Sequence, residues 1–320
     1  MSLVRDLTPI NLAEEKKKFF ESNFTYNPQF KYQALVTKKK LLHYGQPKPE
    51  YLEIAQKLLK KAFDNRTEQE IRELEGPRLN QKQVIKLYNQ FVKQNQIQEE
   101  VELSLSDQYL GKASFYKGTF KLKLPIWHRH HEFLGTLYHE LGTHAIRRIN
   151  YAQQPFYKKK KKYGFKEYLF TEEGLASLHT LLARNFKIDY TGALNYVLTD
   201  FAQSHSFAET FAFTKNYIQD DQRAWNYTIK HKRGLYDTAK GGGFTKDLVY
   251  FEGLIGVWQY LQQSNFDLEG LYLGKISLED IPKAREANPE FKPKLPDFIT
   301  QNRKEYQTKI TEVARINYLI

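Results

Sequence analysis

The chain contains no cysteine, which excludes a disulfide framework, a thiolate zinc site and a cysteine nucleophile together. It also lacks any run of eighteen apolar residues, so no segment reads as a membrane-spanning helix. The amino terminus, MSLVRDLTPINLAEEKKKFF, has no apolar h-region ahead of a small-residue cleavage site. These absences set the expectation of a soluble, cytoplasmic protein. Acidic residues are in deficit: 37 Asp and Glu face 49 Lys and Arg, a formal net charge of +12. Such an excess favours acidic partners, whether nucleic acid, anionic membrane or acidic polypeptide. Much of it, however, lies in lysine runs at 16–18, 38–40, 60–61 and 158–162. Runs without an interleaved arginine and aromatic pattern read as solvated faces. What remains is 320 residues, 41% hydrophobic and 27% charged, a globular composition with enough chain for a sizeable core.

The first hundred residues read as mainly helical. Ile54, Ala55, Leu58, Leu59 and Ala62 recur at helical spacing after Pro49, and Asn80 with Gln83 forms a capping-box pattern ahead of Val84, Tyr88, Phe91 and Val92. Near residue 101 the period changes to two. Val101, Leu103 and Leu105 alternate with polar residues, as do Phe120, Leu122 and Leu124, with a short strand at 113–116 and a turn at Lys117-Gly118 between them. We read these as a small antiparallel sheet closed by Pro125. Helical patterns return at about 130–149, 167–184, 192–218, 246–264 and 299–318. The class is α+β with helices dominant: a mainly helical amino-terminal part over 1–100 and a core over 101–320, together one compact unit.

The chemistry sits just after the strands, in His139-Glu140-Leu141-Gly142-Thr143-His144. The zinc-protease signature HExxH places its histidines four apart, about 40° around a helix, so both reach one metal. Here they are five apart, roughly 140° out of line on an ideal helix. A local π-bulge or an early helix end would bring them together, and Gly142 supplies backbone permissiveness between them. Two histidines leave a catalytic zinc one ligand short. A carboxylate from Thr171-Glu172-Glu173-Gly174-Leu175-Ala176, on the next helix, would complete a His2Glu set, and Glu140 would then serve as general base and later as proton donor.

The pairing of HELGTH with EEGLA resembles the QEGLA-motif family of zinc metallopeptidases, whose animal members are the MATCAP-type microtubule-associated tyrosine carboxypeptidases. The resemblance continues through Lys232-Arg233-Gly234, the segment Gly242-Gly243-Phe244-Thr245-Lys246-Asp247-Leu248-Val249-Tyr250, Leu273-Gly274-Lys275-Ile276 and the early Asn27-Pro28-Gln29-Phe30-Lys31-Tyr32. It implies one Zn2+ ion on His139, His144 and Glu173, with Glu140 catalytic, in a helical zincin whose small sheet lies beside the HExxxH helix. Glu172 then stands where the family motif has Gln. The implied activity is a zinc-dependent carboxypeptidase acting on the carboxy-terminal tail of a peptide or protein, in which Glu140 deprotonates a metal-activated water. An edge strand such as 119–124 would hold the extended peptide by β-augmentation. The animal enzymes carry long additional amino-terminal segments, so the resemblance speaks for the reaction more than for tubulin as the target.

A carboxypeptidase binds a free carboxylate, for which Arg233 and Lys246 are the candidates; His231 or Tyr250 would donate a hydrogen bond to the tetrahedral oxyanion. Gly241-Gly242-Gly243 followed by Thr245-Lys246 lacks the GxxxxGK[ST] spacing and reads as a loop near substrate rather than a phosphate cradle. His128, His130 and His131 read as loop and helix-start residues, and His205 with Glu209 as a local pair on one helix. The expected partner is an acidic peptide or protein tail, with neither nucleic acid nor membrane. The competing class is a non-enzymatic basic module that captures acidic polypeptide or nucleic acid; its binding would weaken steeply with salt and survive loss of His139.

Overall fold

The computed structural model describes residues 6–109 and 111–320. The first five residues of the segment inspected for a leader lie outside them. The chain is mainly helical and divides into two compact units, one of residues up to 70 with 189–251, the other of residues 71–188 with 252–320. No helix among the described residues is long and apolar enough to cross a membrane.

In the first unit, the Pro49–Phe63 helix starts on a proline whose missing N–H costs nothing at that position. Its stripe of Ala55, Leu58, Leu59 and Ala62 is buried, and the helix packs against the Tyr190–Ala202 helix. Phe19 anchors a second cluster, with ring centroids 5.0 Å from Phe207, 4.9 Å from Phe211 and 5.2 Å from Trp225. The continuous helix expected over 192–218 is two helices, Tyr190–Ala202 and Phe207–Lys215. Ser206 starts the second with a capping box to Glu209, an N-terminal signal that outweighs the continuing apolar pattern. His205 therefore precedes that helix and stacks on Phe201, so it does not pair with Glu209 along one helix. The Asp221–Lys232 helix, absent from the periodicity reading, starts on Asp220, whose side chain accepts the Arg223 N–H.

The second unit carries the sheet. Strands β1 (Glu102–Ser106), β2 (Ala113–Tyr116) and β3 (Thr119–Lys123) lie in the order β1-β3-β2. The β2–β3 hairpin is antiparallel, whereas β1 runs parallel to β3, so the sheet is mixed rather than antiparallel as expected. Alternation identifies strands but not their neighbours. Here β3, whose Phe120 and Leu122 are fully buried, takes the centre and pairs on both edges. It is therefore unavailable for β-augmentation, and β2 is the edge strand that faces the HExxxH segment.

That segment follows at once. An α-helix over His130–Leu137 passes into a π-helix over Tyr138–Ala145 and returns to α over Ile146–Ala152. The next long helix, Leu169–Ala183, lies against it, and Gly174 there meets Gly253 of the Leu248–Gln263 helix backbone to backbone. Phe133, Leu137, Leu141, Leu175, Leu178, Leu254 and Trp258 join these elements into one core with the sheet.

Candidate metal centre

A π-helix closes i→i+5 hydrogen bonds, which turns residues five apart onto one face. Ile146 N–H accordingly reaches the Leu141 carbonyl. Side chains hold this turn from outside. The Thr143 hydroxyl donates to the Tyr138 carbonyl at 3.0 Å, and Tyr272 donates to the Gly142 carbonyl at 2.8 Å. Since the Thr143 hydrogen is used, its oxygen accepts from His179 Nδ1 at 2.8 Å, and His179 Nε2 accepts from the Tyr306 hydroxyl at 2.8 Å. This pattern needs a neutral imidazole, and burial supplies one by pushing His179 down to about 3. Gly142 serves packing rather than a special backbone angle: its φ is not positive, and a Cβ there would fall 2.6 Å from the Phe298 ring.

His139, His144 and Glu173 converge, each offering a donor atom within 4.8 Å of the other two. Glu173 Oε2 lies 3.6 Å from His139 Nε2 and 3.5 Å from His144 Nε2. Ligands at 2.0–2.1 Å from a tetrahedral ion would be about 3.3 Å apart. The tautomers agree with a metal site. Thr180 Oγ1 gives its hydrogen to the Ala176 carbonyl at 2.8 Å, so it accepts from His139 Nδ1 at 3.0 Å. His144 Nδ1 donates to Glu172 Oε1 at 2.9 Å. Each outer nitrogen is thereby protonated, which leaves two Nε2 lone pairs and a carboxylate aimed at one point. Such a set is repulsive until a cation stands within it. Despite its burial, His144 is pushed up to about 10 by Glu173 and Glu172, and Glu173 is held well down by the two imidazoles.

Glu172 stands outside the cluster. It is 2% exposed, pairs with the buried Arg147 at 2.9 Å and also binds Lys275. Burial alone would raise its pKa, but Lys275 and Arg147 hold it far below the ordinary carboxylate range. Glu140, next to His139, accepts the Phe115 N–H of β2 at 2.7 Å. Sequence reasoning missed Thr180, Arg147, Lys275 and His179. Thr180 was within reach, since it lies seven residues after Glu173 on the same helix and so on the same face.

The remaining candidates lie in the other unit and engage its residues. His231 is fully buried, 3.2 Å from both Thr199 Oγ1 and Asn195 Oδ1. Arg233 lies over the Phe244 ring at 5.2 Å, and Lys246 stands 6.0 Å from the Tyr250 ring centre. The glycine run wraps a buried lysine: Lys232 Nζ donates to the carbonyls of His205 at 2.6 Å, Lys240 at 2.9 Å and Gly242 at 3.0 Å. A Cβ on Gly243 would come within 2.3 Å of the His231 carbonyl.

Fold and site together define a helical protein whose distorted helix presents two histidines to a glutamate, with a second glutamate alongside. The chain belongs to the microtubule-associated tyrosine carboxypeptidase family, whose profile matches residues 37–311. It is 31% identical to human microtubule-associated tyrosine carboxypeptidase 1 over 320 residues, 98% of this chain and 68% of that protein. The rat protein of the same name is 30% identical over the same shares.

Proposed function

We propose that the protein is a zinc metallopeptidase that removes residues from the carboxy terminus of a peptide or protein tail in the cytoplasm. The observation that carries this reading is the set of three lone-pair donors converging from His139, His144 and Glu173, with Glu140 beside them. The relatives' name, tyrosine carboxypeptidase, supports the direction of cleavage. His139, His144 and Glu173 would hold the ion, and the arrangement of HExxxH segment, sheet and glutamate helix is zincin-like. Bound there, zinc would supply polarisation of the scissile carbonyl and acidification of a water.

The chain's own groups do the rest. Thr180 and Glu172 fix the two imidazoles, while Glu140 accepts the water's proton and passes it to the leaving nitrogen. Hydroxyl thus joins the carbonyl carbon as the C–N bond breaks. The Phe115 N–H holds Glu140 in place from the edge of β2. A basic chain of net charge +12 suits an acidic tail. The test compares Glu140→Gln with the parent, both loaded with one equivalent of zinc. We expect metal content unchanged and hydrolysis of a free-carboxylate peptide reduced at least a hundredfold. Undiminished hydrolysis would sink the assignment, and absence of bound zinc from the parent would sink the metal.

A further inference from the structure

A cavity of about 240 Å3 opens between the Gln81–Gln94 helix, the end of the His130–Leu137 helix and the segment that begins at Asp297. None of His139, Glu140, His144 and Glu173 lines it. Its walls are apolar. Leu87 and Phe91 come from the first helix and Leu134 and Leu137 from the second, while Tyr138 and Phe298 stack on each other with ring centroids 4.1 Å apart. Phe91 and Leu137 are buried, whereas Gln90 and Gln94 are exposed, which puts the first pair at the floor and the second at the mouth. The volume falls below the roughly 300–1,000 Å3 of sites that engulf a drug-sized ligand. It suits a single ring with a short chain.

The polar groups at this cavity choose the charge of such a molecule. Asp297 is the one lining residue that carries a charge at neutral pH, and no cation pairs with it among the described residues. Its Oδ2 accepts from Gln301 Nε2 at 2.7 Å, and its backbone N–H donates to Asn95 Oδ1 at 2.8 Å, which leaves Oδ1 without a partner. Burial and the Asp297 charge both push the Tyr138 phenol up, so the ring stays neutral. The side-chain amides of Gln90 and Gln94 likewise make no hydrogen bond among the described residues. On a chain of net charge +12, an unpaired carboxylate beside two stacked rings is a place for a cation. An ammonium has three hydrogens to give, and Asp297 Oδ1 with the amide oxygens of Gln90 and Gln94 are acceptors for them.

We propose that this cavity binds a small primary amine carried on a single aromatic ring, with the ammonium at Asp297 and the ring between the leucines and the Tyr138–Phe298 stack. The site is separate from the metal centre yet adjoins it. Tyr138 precedes His139, its carbonyl accepts the Thr143 hydroxyl at 3.0 Å, and Phe298 is the ring that a Cβ on Gly142 would meet. An occupant therefore rests against residues that brace the π turn, and its binding does not depend on the peptidase reading.

The experiment titrates the protein calorimetrically at pH 7 with 2-phenylethylamine, 2-phenylethanol and 3-phenylpropanoate, which share a ring and a short chain and differ in charge. We expect the amine to bind at least tenfold more tightly than the alcohol, and the carboxylate more weakly than either. Asp297→Asn, which keeps an acceptor for Gln301, should bring the amine to within twofold of the alcohol and leave the alcohol's affinity unchanged. Phe298→Leu, which removes one stacked ring, should weaken amine and alcohol alike. No binding of the amine, equal binding of amine and alcohol, or a preference that Asp297→Asn leaves intact overturns the proposal. In the last case the amine sits elsewhere, at the metal centre or on the surface.

Discussion

Glu172 Oε1 stands 2.9 Å from Nδ1 of His144, on the side of the ring opposite Glu173. The two adjacent carboxylates therefore divide their work: Glu173 faces the donor cluster and Glu172 orients a donor. The 2.9 Å ion pair with Arg147, which is fully buried, makes Glu172 the partner of a charge with no access to water. We expect Glu172→Ala to weaken zinc binding about 10–100-fold and to cost about 3–5 kcal/mol, since it strands Arg147. Glu172→Gln keeps an acceptor for His144 and should lose about tenfold or less in affinity. Competition with a chromogenic chelator and thermal denaturation read the two effects. Parent-like zinc affinity in Glu172→Ala would remove the orienting role.

The backbone contact behind this pair is equally demanding. A Cβ on Gly174 would fall 2.1 Å from the Gly253 carbonyl carbon, a backbone atom that cannot rotate aside. Gly174→Ala should thus force the two helices apart and destabilise the protein by about 3 kcal/mol or more. At Gly142 the obstacle is the Phe298 ring, stacked on Tyr138 with centroids 4.1 Å apart. A ring can shift, so Gly142→Ala should cost only about 1–3 kcal/mol. Denaturant midpoints order the two variants, and a Gly174→Ala protein within about 0.5 kcal/mol of the parent contradicts the contact.

Residue spacing made much of the site legible. HExxxH five-residue spacing called for a local π-bulge or an early helix end, and of the two it is a π-helix that forms, over Tyr138–Ala145. The Asn80–Gln83 capping box and the Lys117-Gly118 turn are likewise local patterns that local structure repeats. What escaped was set by tertiary packing. Sheet order depends on which strand is buried on both edges, and β3 gains that place by contacts invisible in its alternation. Gly142 looked like a backbone device and is a steric one, because Phe298 lies 156 positions away in sequence. Arg233 and Lys246 drew notice by lying in a motif, yet they belong to the unit of residues 189–251, whereas His139 and His144 belong to the other.

Acid should unsettle the fold through histidines before carboxylates. His179 and His231 are fully buried, and burial pushes each from its ordinary 6.5 down to about 3. Between those values the unfolded chain binds a proton that the folded chain does not, so stability falls as pH drops from 6.5 towards 3. By pH 5 each histidine costs at most about 2 kcal/mol. Glu132 acts lower. Burial would raise it, but Lys112 and its neighbours hold it at about 2 against an ordinary 4.5, so its contribution is complete above 4.5 and is lost between 4.5 and 2. Melting temperature should therefore decline already from pH 7 to pH 5, before the carboxylates titrate. His231→Asn removes one such group from the first unit, while His179 acts in the second. The variant should be less stable at pH 7 yet lose less on going to pH 5, and a slope identical to the parent's would show that His231 carries no part of the acid sensitivity.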